Sequence, residues 1–174
     1  METRRKKHML LAGKWSCYSL LLLLAAVMQT LPGVLTIAGA RPLFILPLCM
    51  AVSIYEGEFR GALFGAVGGL LWDLTAGRVA GLLAIQLLVV CFMTSVLVQL
   101  FLRVNHMNFI LLCAAAVALV TGVDFLFNYL MRGYSRVAWY YGTVILPIVI
   151  FTSAAAPLSF LAVRWVFERF TRTE

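Results

Sequence analysis

Two carboxylates, Asp73 and Asp124, fall inside long apolar runs, and any intramembrane acid–base chemistry would have to start from them. A pair of carboxylates that shares one proton can activate a water. The stretches around these two, WDLTAG and GVDFLF, carry no intramembrane aspartyl-protease motif, and the chain has no GxSxG, HExxH or Walker loop. Cys17, Cys49, Cys91 and Cys113 each sit within an apolar run without a CxxC spacing. They read as small buried hydrophobes. His8 and His106 have no cluster of ligating residues beside them in the sequence. These residue types point to a protein without catalytic residues, metal or cofactor.

Asp73 belongs instead to a series. Gly57, Gly61, Gly65 and Gly69 recur at every fourth residue, Asp73 takes the next place, and Gly77 and Gly81 follow. Residues four apart lie on neighbouring turns of one helix face. In lipid, helices associate mainly by close packing, and glycine lets backbones approach. The four glycines are therefore expected to form a packing ridge, slanted because a turn takes 3.6 residues. Asp73 stands near the end of that helix, where a charge costs less than at mid-membrane. It is expected to cap or dock the following turn, LTAGRVAG, and to pair with Arg78. Asp124 has Asn128 four residues on and Thr121 nearby, a pattern that suits a polar clamp between helices. Such contacts contribute roughly 0.6–2 kcal/mol each. A partner interface or a ligand pocket is the alternative at both acids.

The elements that must position these residues follow from composition. The 174 residues are 63% hydrophobic and 12% charged, against about 45–50% and about 25% in soluble domains. So apolar a chain is an integral membrane protein. We expect an all-α, polytopic bundle of about six helices: 15–31, 41–55, 59–75, 79–102, 107–131 and 139–167. Residues 1–14 read as a basic N-terminal segment and 15–174 as one transmembrane domain. The first span reads as uncleaved. Arg41-Pro42 opens the second, which at this length is either a span or a re-entrant segment. Pro147 and Pro157 are tolerated in the sixth. Arg4, Arg5, Lys6 and Lys7 read as an anchor to anionic lipid, not a nucleic-acid footprint. With the N-terminus inside, ten Lys and Arg fall on the inner side and four on the outer (Arg41, Arg78, Arg132, Arg136). Both termini are then cytoplasmic, and Tyr129, Tyr134, Trp139, Tyr140 and Tyr141 form an outer aromatic belt. The short links leave no room for a folded extramembrane domain.

The ordered set LLLLAAVMQTLPG, ARPLFILPL and EGEFRGALFGAVGGLLWDLTAGRVAGLLAI, followed by Asp124 in the fifth helix, resembles the rod shape-determining protein MreD family of bacteria. The resemblance runs from Trp15 to about Arg169 and is most specific from Gly61 to Gly81. It implies a non-catalytic subunit of the cell-elongation machinery in the cytoplasmic membrane, supporting side-wall peptidoglycan synthesis. The partners implied are MreC, the RodA glycosyltransferase with its class B penicillin-binding transpeptidase, and indirectly the MreB filament. The implied fold is similar to the substrate-binding S components of energy-coupling-factor vitamin transporters. A vitamin-binding S component is accordingly the alternative function. It would need an enclosed polar pocket near the outer face, for which Asp73, Asn128, Arg132 and Tyr134 are candidates.

Overall fold

A computed structural model describes residues 2–31, 42–76, 81–101, 105–125 and 146–171. The described residues form six helices: α1 Glu2–Thr30, α2 Ile45–Glu56, α3 Glu58–Ala76, α4 Leu82–Leu100, α5 His106–Phe125 and α6 Leu146–Thr171. Among the described residues four stretches are long and apolar enough to cross a membrane: Met9–Thr30, Leu82–Leu100, His106–Asp124 and Leu146–Phe170. Large hydrophobic side chains such as Leu20, Leu24, Ile85, Leu111 and Leu158 point outward, more than half exposed. An outer surface of this kind suits lipid. The chain is a multi-pass, all-helical membrane protein.

α2 departs most from expectation. It has only 12 residues, about 18 Å at 1.5 Å per residue, against a hydrocarbon core of about 30 Å. It does not open at Arg41-Pro42. Arg41 lies outside the described residues, and Pro42 precedes a helix whose N-cap is Phe44. Pro47 occupies the first turn instead, where a missing N–H is tolerated. α2 contacts all five other helices, and Ile45 through Ser53 are buried without a gap. A helix apolar on every side belongs in such a core.

The N-terminus of α2 is enclosed in the bundle, so its orphan N–H groups need partners there. Other helices provide them. Gln29 Oε1, on α1, accepts the N–H groups of Phe44 at 3.1 Å and Ile45 at 3.3 Å. Thr152 Oγ1, on α6, accepts that of Leu43 at 3.0 Å. One amide and one hydroxyl on other helices thereby accept the N–H groups at the start of α2.

The opposite end of α2 is tied by charge. Glu56 Oε1 pairs with Lys14 Nζ and accepts the Tyr18 hydroxyl at 3.0 Å. The Lys14 ammonium lies 4.3 Å from the Phe167 ring centroid. Trp15, Tyr18 and Phe64 contact one another edge-on or tilted, with centroids 6.0–6.2 Å apart. α1 is helical on both sides of Lys14, and Lys14 belongs to the bundle.

α3, 19 residues long, is long enough to cross, but its glycines, Arg60 and Asp73 make it less apolar than the four spans above. The pairings Gly65 with Leu87 and Cys91, and Gly69 with Ala84, show that α3 and α4 run antiparallel. α6 carries Pro157 internally. The expected aromatic belt, Arg132 and Arg136 lie outside the described residues.

Candidate functional site: the glycine seam and its carboxylate

Three of the four ridge glycines lie within α3, and each meets a neighbouring helix. A Cβ on Gly61 would overlap the Cα and Cβ of Ser53 on α2. One on Gly65 would come 2.7 Å from Cys91 Sγ and 2.9 Å from the Leu87 carbonyl oxygen, both on α4. One on Gly69 would come 2.5 Å from Ala84 Cα and 2.6 Å from the Leu83 oxygen. Because steps of four drift around the axis, the ridge changes partner along its length, from α2 to α4. Gly68, outside the four-residue series, completes the contact with α2: its Cβ would lie 2.6 Å from Cys49 Sγ. Spacing at four hid it, although the pair Gly68-Gly69 signals two faces in use.

Gly57 has a different job. It sits between α2 and α3 with φ of +89°, and a Cβ there would meet nothing within 4 Å. It turns the chain, and close approach of a neighbour is not what calls for a glycine there. Its backbone conformation is one that side chains with a Cβ disfavour.

Asp73 is one turn beyond Gly69 and is 2% exposed. Its Oδ2 accepts the N–H of Gly81 at 2.8 Å and is 3.4 Å from that of Ala84. Gly81 is the N-cap residue of α4, with φ of +102°, and Ala84 is the third residue of that helix. A helix usually satisfies these two donors with its own N-cap side chain and a following acid. Gly81 has no side chain, so the carboxylate comes across from α3. Its negative charge also suits the positive end of the α4 dipole. Gly69 makes this possible: only where α3 and α4 approach this closely does the carboxylate reach the α4 backbone. Oδ1 is buried, with no hydrogen-bond partner among the described residues.

The remaining candidates are not gathered here. Gly77 and Arg78, between Asp73 and Gly81, lie outside the described residues, as do Asn128 and Tyr134. Asp124 is partly buried on α5, and Thr121 turns its hydroxyl back to the Val117 carbonyl at 2.5 Å. Cys49, Cys91 and Cys113 are free, buried thiols. Sequence reasoning missed Gln29, Thr152 and the Lys14–Glu56 pair as tertiary contacts. A lysine one residue ahead of a tryptophan in an apolar helix was the available signal for Lys14.

Fold and seam together define a small multi-pass membrane protein whose polar groups join one helix to another. A family profile described as rod shape-determining protein MreD matches residues 9–163. The chain belongs to that family. No curated protein matches it, and no solved structure does.

Proposed function

We propose that this protein is a non-catalytic membrane subunit of the bacterial cell-elongation complex, acting through helix faces on MreC and, with it, on the RodA glycosyltransferase and its class B penicillin-binding transpeptidase. MreB is reached indirectly. Family membership over residues 9–163 carries this reading. The Asp73 geometry supports it, since Oδ2 is engaged with the α4 backbone. In the proposed setting the protein lies in the inner membrane with both termini cytoplasmic. An introduced cysteine at Thr173 should then resist an impermeant thiol reagent in intact cells; labelling there would reverse the topology.

Asp73 and Asp124 serve in this reading as structural and partner-contact residues. Asn keeps an oxygen acceptor at position 73 and loses the charge, whereas Leu loses both. Asp73→Asn is expected to retain most of the MreC that co-purifies with the wild type at matched membrane levels. Asp73→Leu, which takes the acceptor from the part-buried donors at Gly81 and Ala84, is expected to lose it. An Asp73→Asn protein that folds and binds MreC but fails to support rod shape would assign the charge a chemical or ligand-binding role.

A further inference from the structure

Between α1 and α3 the bundle leaves a groove of about 640 Å³, lined by Leu23, Leu63, Val67 and Leu74 among others, with Trp15 and Arg60 at one end. It opens sideways: Leu63, Val67 and Leu74 are each more than half exposed. From Arg60 to Leu74 it extends about 21 Å along α3, longer than the roughly 15 Å of hydrocarbon in one leaflet. Arg60 is exposed and lies one turn from Glu56, whose carboxylate is already engaged by Lys14 and Tyr18. Among the described residues no carboxylate pairs with Arg60. The groove is therefore an apolar channel with one uncompensated cation at its mouth.

We infer that this groove seats one anionic phospholipid, its phosphate on Arg60 and an acyl chain along Leu63, Val67 and Leu74. Charge complementarity selects the headgroup, and an arginine fork suits phosphate oxygens. The lining selects a chain over a partner helix. Helices in lipid pack on small residues, but α3 directs Gly61, Gly65, Gly68 and Gly69 inward against α2 and α4. What remains outside is large and aliphatic, a surface that suits a lipid tail and lacks the small residues on which a helix would pack. The inference is independent of the partners proposed above.

Native mass spectrometry of the detergent-purified full chain tests it, with phosphatidylglycerol and phosphatidylcholine of identical chains added in equal amounts. The wild type is expected to retain phosphatidylglycerol about fivefold over phosphatidylcholine, the effect of one basic residue near the headgroups. Arg60→Lys should keep that preference, and Arg60→Gln should bring the ratio near one. Val67→Trp fills the groove and should reduce retention of both lipids, while Leu111→Trp on the outer face of α5 should not. Equal retention of the two lipids by the wild type, or an unchanged ratio in Arg60→Gln, overturns the inference. So does a folded Val67→Trp protein with undiminished lipid. If that protein has also lost co-purifying MreC, the groove belongs to a protein helix. The Arg60 variants decide the matter even if Val67→Trp does not fold.

Discussion

Gly69→Ala is expected to destabilise the detergent-solubilised protein by about 2 kcal/mol or more, while Gly122→Ala is neutral or stabilising by up to about 1 kcal/mol. Both changes add a single methyl group to a helix and carry the same propensity gain. They differ in what that methyl meets. At Gly122 there is nothing within 4 Å. At Gly69 it meets the Ala84 Cα at 2.5 Å and the Leu83 carbonyl oxygen at 2.6 Å. A flexible side chain can swing away, but backbone moves only with its helix. α4 must therefore shift outward, which also draws Gly81 and Ala84 away from Asp73. The cost is thus steric and polar together, and Gly69→Leu should abolish the fold. Thermal unfolding in detergent measures it. Equal stability of Gly69→Ala and Gly122→Ala would show that α3 and α4 do not touch at the seam.

Lys14→Met is expected to cost about 3–5 kcal/mol, because it strands the Glu56 carboxylate in the bundle. The Glu56 side chain is 4% exposed and that of Lys14 11%, so water does little to compensate. Tyr18 still donates one hydrogen bond, which does not neutralise a charge. The double variant Lys14→Met with Glu56→Gln should recover most of the loss, since a neutral amide still accepts the Tyr18 hydroxyl. That recovery is the diagnostic result. Burying two opposite charges costs about as much as their attraction returns, whereas one alone is strongly unfavourable. Should the double variant be as unstable as Lys14→Met, the cation's contact with Phe167 outweighs the ion pair.

One of these sites lies beside the start of α3 and the other near its end, and they divide the work of positioning. The charged end joins α1, α2 and, through Phe167, α6. The far end joins α3 to α4 through Gly69 and Asp73. Between them α2 is held by side chains of its neighbours at both ends. Lys14, Gln29, Glu56, Asp73 and Thr152 thus tie one element to another, while the hydroxyls of Ser53 and Thr121 turn back to carbonyls of their own helices.

The sequence by itself determined the class of protein, and it singled out a glycine period with an acid at its end. Composition forces a lipid-exposed exterior. A four-residue glycine period has a physical meaning on any helix, and an acid at its end needs donors close by. What it left open was which neighbours answer those needs. The ridge at Gly61, Gly65 and Gly69 looks uniform along the chain, yet α2 receives its first part and α4 the rest, a consequence of helix drift. Gly57 fits the period but belongs to a turn, because spacing is blind to φ. The start of α2 was misplaced at Pro42 because its donors are satisfied by Gln29 and Thr152, 15 and 109 residues from their partners Phe44 and Leu43. Lys14 read as part of a basic tail for the same reason: its partner Glu56 comes from another helix. Periodicity and composition report what a segment needs from its surroundings; only the assembled bundle decides which distant side chain meets the need.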